Sequence, residues 1–392
     1  MKVLIVGAGI AGATLARQLA DQGHRVNVID RRLTIGGNCY DSVTDGLRVH
    51  HGGPHLLHHS SQAVHRFLSR FTRWTPYKHT VQAQLANNTL VPLPINRATI
   101  EAVAAMPEYA SYFDGRLNVD GKFPSDEYCE LWLEEQRVKL GRPPESSDEV
   151  FLSSVGELLA NIFFRPYTLK MWNKDASEIE ASVGARIPVR SGYSNGYFND
   201  KFQYLPANGY TAMISNMLCH PRINLLLGED ADEKRYAAYD KVYSSASIDE
   251  QCDYGFGLLP YRSIRFEHQK IRGNQTLDRT SAVVNSTQLL QLYNRSTAWH
   301  LLPGHPAANA KKLLTFETSC DAYDNMSPEG HPERFYPVRS EKSTALYDRY
   351  VVELDRRHSG KVQAIGRLGT YKYLDMHVAI QASMVLAGKF NR

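Results

Sequence analysis

Residues 2–30 read KVLIVGAGIAGATLARQLADQGHRVNVID, an apolar run followed by a glycine-rich turn, a helical pattern and a second apolar run. Lys2 to Val6 is typical of a short buried strand, and Arg25 to Ile29 predicts the neighbouring strand. This order of strand, turn, helix and strand opens a Rossmann-type nucleotide-binding fold. The stretch therefore predicts an α/β protein with a dinucleotide-binding domain.

The turn carries the pattern G-x-G-x-x-G at Gly7, Gly9 and Gly12. The first glycine allows the tight turn, the second lets the backbone approach a pyrophosphate, and the third lets the helix pack against the sheet. The helix N-terminus then faces the phosphates. Asp30 ends the second strand, where a carboxylate can accept a hydrogen bond from a ribose hydroxyl. This context favours a dinucleotide ligand over an incidental glycine-rich turn.

A second glycine pair, Gly36-Gly37, follows Asp30 in the segment RRLTIGGN. It resembles the second fingerprint of the FAD-binding amine-oxidase-like superfamily, which NAD-only domains do not usually carry. In that superfamily, the element matching Gly366-Arg367 also returns to the flavin. The sequence therefore favours FAD over NAD, and the resemblance implies fourteen cofactor-binding residues: Gly7, Gly9, Ile10, Ala11, Gly12, Asp30, Arg31, Gly37, Asn38, His55, Gly366, Arg367, Asp375 and Met376.

Composition excludes several classes of protein. The net charge is +4 over 392 residues without a dense Lys/Arg run, so nucleic acid is not an expected partner. The five cysteines form no CxxC pair, which argues against a disulfide framework and fits a reducing cytoplasm. No apolar run approaches the roughly 18 residues of a membrane-spanning helix, and the opening MKVLIVGAG does not resemble a signal peptide.

Beyond the first domain, apolar residues recur at helical spacing through most of residues 60–180. Ser146-x-x-Glu149 predicts a helix start, and the apolar stripe after it predicts core packing by Phe151, Val155, Leu158, Leu159 and Ile162. After about residue 185, short segments rich in Tyr, Val and Phe predict antiparallel strands. The chain closes with a strand in KVQAIGR, a loop and a helix in MHVAIQASMVLAGKF.

We therefore expect a discontinuous Rossmann-type FAD-binding domain, an inserted helical domain and an antiparallel β-sheet domain. The expected ranges are 1–80, about 195–240 and 315–392 for the FAD-binding domain. The helical domain, with a mobile substrate loop, is expected at about 81–194. The antiparallel sheet is expected at about 241–314.

Arginine and aromatic residues cluster at five places: PYTLKMW (166–172), ARIPVR (185–190), LYNRS (292–296), RFYPV (334–338) and GTYKYLD (369–375). Guanidinium groups bind diphosphate oxygens bidentately, and aromatic faces stack on a nucleobase or a sugar ring. Together, the clusters suit a nucleotide-sugar ligand.

In this order and spacing, the clusters resemble the bacterial UDP-galactopyranose mutases over most of the chain. The most specific matches are PYTLKMW together with DRRLTIGGNCY (30–40), GGPHLLHH (52–59), ARIPVRSGYSNGYFNDKFQ (185–203), PANGYTAMI (206–214), IDEQCDYGFG (248–257), PYRSIRFE (260–267) and GRLGTYKYLDMHVAI (366–380). The resemblance implies an isomerase that interconverts UDP-galactopyranose and UDP-galactofuranose without net redox. In that family, N5 of reduced FAD attacks the anomeric carbon. It also implies a homodimer, an external reductant such as NAD(P)H and a role in cell-wall or polysaccharide biosynthesis.

The same resemblance implies site residues. Arg186 and Arg295 match the two arginines that grip the diphosphate, and His55 matches the histidine beside the flavin ring; these three are the expected catalytic residues. Thr168 to Arg186 is expected to be a lid that moves when substrate binds. The expected substrate-binding residues are Phe163 (or Phe164), Tyr167, Thr168, Trp172, Tyr197, Asn294, Tyr336, Tyr373 and Asp375.

A run of histidines fits no usual zinc spacing and has no accompanying cysteine or carboxylate set, so no metal is expected there. Its members are His50, His51, His55, His58 and His59.

The chain departs from the family pattern near the second arginine. Asn294 replaces the family threonine, and residues 296–299 read Ser-Thr-Ala-Trp where typical members have Ile-Ile-Glu-His. Met171, Asn173 and residues 246–249 also differ. These changes leave open another nucleotide sugar, such as UDP-N-acetylgalactosamine or dTDP-fucose. An amine-oxidase-like flavin oxidoreductase and a flavin-binding module without catalysis are further alternatives.

Overall fold

A computed structural model of the protein describes residues 1–272, 277–305, 311–328 and 330–390. The strands of these segments are β1 (Lys2–Val6), β2 (Arg25–Asp30), β3 (Asp41–Thr44), β4 (Leu47–His50), β5 (Leu57–His59), β6 (Trp74–Pro76), β7 (Val81–Gln84), β8 (Leu90–Leu93), β9 (Phe202–Pro206), β10 (Ile223–Leu227), β11 (Lys241–Ser244), β12 (Tyr261–Lys270), β13 (Val283–Ser286), β14 (Arg295–Ala298), β15 (Leu313–Asp321), β16 (Tyr336–Pro337) and β17 (Val362–Ala364). The helices are α1 (Ile10–Asp21), α2 (Gln62–Leu68), α3 (Arg97–Ala104), α4 (Asp126–Gln136), α5 (Ser147–Leu159), α6 (Arg165–Trp172), α7 (Ala181–Gly184), α8 (Gly209–Leu218), α9 (Glu233–Tyr236), α10 (Ile248–Gln251), α11 (Glu341–His358), α12 (Gly366–Gly369) and α13 (Met376–Lys389).

A five-stranded parallel sheet, ordered β10-β2-β1-β11-β17, forms the nucleotide-binding core. Alternate residues of β1 point to opposite faces of the sheet. Val3 and Ile5 pack in the cluster that contains α1, α8 and α13, whereas Leu4 and Val6 pack in the cluster that contains α11. Because both faces are covered, β1 is apolar at four consecutive positions. The predicted Rossmann-type α/β architecture is confirmed.

A seven-stranded sheet, ordered β16-β12-β15-β14-β13-β7-β8, carries the other half of the site. Its pairings are antiparallel except for β13 with β7, which run parallel. The register of β14 on β15 sets Arg295 directly opposite Glu317. Two small antiparallel sheets, β3-β4 and β5-β9-β6, complete the strands of the described segments.

Helices α3 to α5 share a hydrophobic core with one end of the seven-stranded sheet. As predicted, Ser146 is the N-cap of α5, and its side chain accepts a hydrogen bond from the Glu149 backbone N–H at 3.3 Å. The predicted apolar stripe is buried at four of its five positions, and Ile162 is partly buried against it. A π-helical turn at Ala160–Phe164 joins α5 to α6, so the aromatic residues of this turn face a cleft.

The observed strands differ from the predicted secondary structure and domain bounds in three places. The 60–180 region is not mainly helical throughout, because β6, β7 and β8 lie in it. The four-residue alternation of β7 (VQAQ) is too short to stand out, and β7 pairs with β13 far along the chain. Strand β11, which was expected in the antiparallel sheet domain, pairs instead with β1 in the parallel sheet. Strand β15 extends the seven-stranded sheet to residue 321, whereas that sheet was expected to end at about residue 314. Residues 273–276 and 306–310 of the expected sheet domain lie outside the described residues. The three-domain division remains a prediction, for which we propose these shifted boundaries.

Among the described residues, no helix is long and apolar enough to cross a membrane.

Candidate active site

The glycine-rich turn connects β1 to α1 in a geometry that only small residues allow. Gly7 has φ +107°, a conformation that side chains rarely adopt, and a Cβ on Gly12 would lie 2.0 Å from the carbonyl oxygen of Gly7. Gly9 is the N-cap of α1 and supplies no side-chain cap. The first N–H groups of α1 are therefore available to an anionic ligand.

Asp30 and the second glycine pair lie beside this turn. The buried Asp30 carboxylate accepts hydrogen bonds from the backbone N–H groups of Ala8 (2.8 Å) and Arg32 (2.9 Å). Gly36 forms a parallel β-bridge with Gly9, which brings the two glycine segments together. They border a cavity of about 190 Å³, hereafter the dinucleotide cavity.

A second, larger cavity of about 540 Å³ lies between the seven-stranded sheet and helices α5 to α7. We call it the cleft. His55, Arg367 and Met376 line both the cleft and the dinucleotide cavity. The two spaces therefore meet at these three side chains, where a ring system of a bound dinucleotide could face a second ligand.

Arg186 lies in the cleft, two residues after α7. Its guanidinium donates to the hydroxyl of Tyr373 (Nη1–Oη 2.6 Å) and to the carboxylate of Asp375 (Nη2–Oδ1 2.7 Å). Burial alone would lower the pKa of Arg186, but Tyr373 and Asp375 beside it raise that pKa above its ordinary value. Arg186 is thus a fixed, fully charged donor in the cleft.

Arg295 lines the same cleft from the first position of β14. Its Nε and Nη2 both donate to Oε2 of Glu317, at 3.0 and 2.6 Å. The Glu317 side chain is 2% exposed and that of Arg295 is 23% exposed, so the arginine retains a face toward the cleft. Thr297 Oγ1 also donates to Glu317 Oε1 at 3.2 Å. The Glu317 carboxylate therefore holds the Arg295 guanidinium in place.

Aromatic residues form two walls of the cleft. Tyr336 and Tyr373 stack with ring centroids 5.5 Å apart and an interplanar angle of 8°, and Trp172 contacts both rings. Phe163, Phe164 and Tyr167 also line the cleft, and the π-helical turn and α6 carry them. Burial raises the pKa values of Tyr336 and Tyr167 to about 12, so both phenols are hydrogen-bond donors at neutral pH.

Arg367 and His55 occupy the junction. The Arg367 guanidinium lies over the rings of Tyr336 and Tyr373 at 5.1 and 5.2 Å and donates to the carbonyl oxygen of Leu374. His55 Nδ1 lies 2.8 Å from the carbonyl oxygen of Gly53. Burial lowers the pKa of His55 to about 4, so its ring is neutral at physiological pH.

The structure brings most of the predicted residues to these two spaces. Thirteen of the fourteen predicted cofactor residues line the dinucleotide cavity, and Asp375 lines only the cleft. Of the predicted substrate residues, all except Asn294 line the cleft: Phe163, Tyr167, Thr168, Trp172, Tyr197, Tyr336, Tyr373 and Asp375. What each of them binds remains a prediction.

Asn294 does not line the cleft. Its buried side chain accepts from the Ser319 backbone N–H at 3.0 Å and contacts Met171 Sδ at 3.8 Å. Adjacent residues along an extended segment point to opposite sides, so the neighbour of the cleft-facing Arg295 turns away from the cleft. The changed residues Ser296, Thr297, Ala298 and Trp299 are likewise buried and do not line the cleft.

Several residues that line the cleft or hold its side chains in place were not predicted from the sequence. Glu317 carries no local signal, since only the register of β14 on β15 identifies it as the partner of Arg295. His79, Phe198 and Asn285 also line the cleft from separate loops and strands. Of these, Phe198 lay within a motif already quoted and could have been included.

Two family models match parts of this chain. The family model described as UDP-galactopyranose mutase matches residues 162–373, and that described as NAD(P)-binding Rossmann-like domain matches residues 5–71. The dTDP-fucopyranose mutase of Escherichia coli is 32% identical over 98% of this chain and 97% of its own length. The probable UDP-galactopyranose mutase of Klebsiella pneumoniae is 32% identical over 99% of this chain and 94% of its own.

Solved structures share the fold. A crystal structure of reduced UDP-galactopyranose mutase has a TM-score of 0.73 at 16% identity, over 98% of this chain and 93% of that one. A putative protoporphyrinogen oxidase from Exiguobacterium also matches, with a TM-score of 0.64 at 12% identity over 99% and 98% of the two chains. The fold alone therefore does not separate a mutase from an oxidoreductase, whereas the family model and the full-length relatives do. The chain belongs to the UDP-galactopyranose mutase family of flavoenzymes and is an isomerase.

Proposed function

We propose that the protein interconverts UDP-galactopyranose and UDP-galactofuranose, with reduced FAD bound in the dinucleotide cavity. The observation that carries this proposal is the pair Arg186 and Arg295, both in a cleft that joins the dinucleotide cavity at His55, Arg367 and Met376. A nucleotide sugar whose diphosphate lies on the two arginines could direct its sugar toward this junction.

The residues around the dinucleotide cavity fit FAD. The N-terminus of α1 and the crossing of Gly9 and Gly36 offer backbone N–H groups and close approach to a pyrophosphate. Asp30 lines the same cavity, where a free carboxylate lone pair can accept from a ribose hydroxyl. When bound and reduced, the flavin would supply a nucleophilic nitrogen for the anomeric carbon of the sugar.

The protein's own part in this chemistry is to hold and stabilise the diphosphate as it leaves and returns. Two guanidinium groups can each donate bidentately to phosphate oxygens. Tyr336 and Tyr373 line the same cleft and add hydroxyl donors. Because Arg295 is already fixed by Glu317, little reorganisation of this donor is needed as charge develops on the leaving group.

The aromatic side chains of α6 and the π-helical turn suit the nucleobase. Tyr167, Phe163 and Phe164 line the cleft on the side of α6 and the π-helical turn. Planar bases stack on such rings, and the apolar surface excludes water from the neighbouring diphosphate. This arrangement supports a nucleoside diphosphate sugar over a simple sugar.

A second candidate is the same ring contraction on another nucleotide sugar, in particular dTDP-fucose. It is favoured by the 32% identity shared with both a dTDP-fucopyranose mutase and a probable UDP-galactopyranose mutase. The buried changes after Arg295 do not decide between the sugars, because they lie outside the cleft lining. An amine-oxidase reaction is disfavoured, since the full-length relatives at 32% identity are described as mutases.

The test begins with the purified yellow protein, from which heat-released flavin is identified as FAD or another flavin by chromatography. The dithionite-reduced protein is then offered UDP-galactofuranose, dTDP-fucofuranose and UDP-N-acetylgalactofuranosamine in parallel. We expect the highest kcat/KM with UDP-galactofuranose. A preference for dTDP-fucofuranose would replace the first candidate by the second, and oxygen uptake with an amine would contradict both.

A further inference from the structure

We propose that His58, Asp375 and His377 form a binding site for a divalent transition-metal ion, with zinc as the best match. His58 lies in β5, Asp375 is the N-cap of α13, and His377 is in the first turn of that helix. One ligand atom from each of the three half-buried residues lies within 4.8 Å of the others. In the chain, His58 and Asp375 are 317 positions apart.

Two of the three side chains are held by further partners. His58 Nδ1 lies 2.8 Å from Asp200 Oδ2, which leaves Nε2 as the nitrogen available to a metal. Asp375 Oδ1 accepts from Arg186 Nη2 at 2.7 Å, which leaves Oδ2 available. A carboxylate behind a ligating histidine is the usual arrangement in protein metal sites, because it fixes both the tautomer and the ring orientation.

The donor set and the spacing fit zinc. Two imidazole nitrogens and one carboxylate oxygen are ligands that zinc accepts at about 2.0–2.2 Å, so a tetrahedral set has its ligand atoms roughly 3.4 Å apart. No pair of ligand atoms therefore needs to close by more than about 1.4 Å, which rotation about side-chain bonds can supply. Because all three residues line the cleft, a fourth coordination position would face the cleft.

The sequence could not show this site. His58 belongs to a histidine run whose spacing fits no zinc pattern, and the other two ligands follow only at positions 375 and 377. The fold brings them together because β5 contacts α13.

An ion at this position would occupy the space beside Arg186 that we assign to the nucleotide sugar. We therefore expect zinc and the nucleotide sugar to exclude each other, so that zinc inhibits reversibly. This second statement rests on the proposed function, whereas metal binding itself does not.

The test is isothermal titration of zinc chloride into chelator-treated, flavin-loaded protein. We expect one tight ion per chain, and at least tenfold weaker binding in His377→Ala. Asp200→Asn should also weaken binding by roughly tenfold or more, because it removes the carboxylate behind His58. His220→Asn, at a histidine outside both cavities, should bind zinc as the unmodified protein does.

Flavin absorbance and circular dichroism confirm that each variant is folded. Cobalt substituted for zinc provides a second readout, since a tetrahedral site gives intense visible bands that His377→Ala should lose. Equal zinc affinity in the unmodified protein and His377→Ala, or no tight ion in the unmodified protein, would overturn the site. If zinc binds but the affinity of the protein for UDP is the same with and without zinc, the mutual exclusion is wrong and the metal site stands. If the protein has no mutase activity, the zinc titration still tests the metal site.

Discussion

Asp375 is the N-cap residue of α13, yet its carboxylate makes no capping bond and instead accepts a hydrogen bond from Arg186 Nη2 at 2.7 Å. An N-cap aspartate normally accepts from a backbone N–H of its own helix, and this bond stabilises a helix by roughly 1 kcal/mol. Here the carboxylate binds an arginine of the cleft instead. A diphosphate would compete with Asp375 for the same guanidinium, so we infer that nucleotide-sugar binding rearranges this ion pair.

Loss of either arginine should nearly abolish turnover. Removing a fixed donor to developing charge typically lowers kcat by about 10²–10³-fold, so we expect at least this loss for Arg186→Ala and Arg295→Ala. Flavin absorbance should be retained. Arg142→Ala removes an exposed arginine paired with Glu149 and serves as the matched control. Near-normal kcat in either cleft variant would contradict the diphosphate role.

Glu317→Gln should destabilise the protein and change its response to UDP. The substitution leaves Arg295 without its buried counter-ion, which we expect to cost roughly 2–4 kcal/mol in the free energy of unfolding. A bound diphosphate supplies a replacement anion. UDP should therefore raise the Tm of Glu317→Gln by more than it raises the Tm of the unmodified protein. An equal Tm shift in both proteins would show that UDP does not reach Arg295.

Lys170 should hold α6 onto the segment that leads to Arg295. Its Nζ donates to the carbonyl oxygens of Gln288 (3.0 Å), Gln291 (3.4 Å) and Tyr293 (2.8 Å). Lys170→Met keeps the aliphatic stem and loses these bonds. Losing about 2 kcal/mol would populate the open segment roughly 30-fold more often.

Limited proteolysis with chymotrypsin measures this opening. We expect faster cleavage within residues 165–186 in Lys170→Met, a severalfold higher KM for the nucleotide sugar and protection of the segment by UDP. Lys174→Met removes a neighbouring, partly exposed lysine that pairs with Glu178 and should behave as the unmodified protein. Cleavage that is the same with and without UDP would count against a moving lid.

Acid should destabilise the protein partly through His59. Burial lowers the pKa of His59 to about 4, and the nearby His377 and His65 contribute. The unfolded chain takes up a proton near pH 6.5 whereas the folded chain does not, so the free energy of unfolding falls as the pH drops from about 6.5 toward 4. One such histidine contributes at most about 1.4 kcal/mol per pH unit.

His59→Phe should flatten this pH dependence, because phenylalanine can replace the ring beside Phe202 without titrating. Urea unfolding at pH 6.5 and pH 5 measures the difference, with His220→Asn as the control. The same loss of stability in the unmodified protein and in His59→Phe would exclude His59 as a source of the acid sensitivity.

Local sequence patterns predicted the nucleotide-binding half well. Gly7, Gly12 and Asp30 act within one strand-turn-helix unit, so their spacing along the chain corresponds to their spacing in space. Arg186, Arg295 and the paired tyrosines came instead from family resemblance. The structure places them in one cleft, which no single segment could have shown.

The residues behind the site could not be predicted in this way. The Arg295–Glu317 pair depends on the register between two strands, and the turning of Asn294 away from the cleft depends on side-chain alternation beside β14. The junction at His55, Arg367 and Met376 depends on how two sheets and α13 meet. Such relationships belong to tertiary packing and leave no periodic signal in the sequence.

This protein should convert a furanose nucleotide sugar to its pyranose form only when its flavin is reduced. The most direct measurement follows UDP-galactofuranose by chromatography with the same protein sample before and after dithionite reduction, with Arg186→Ala in parallel. We predict UDP-galactopyranose from the reduced protein, little or none from the oxidised protein and at least a hundredfold less from reduced Arg186→Ala. Equal conversion by the oxidised and reduced protein, or no conversion by the reduced protein, would contradict the claim.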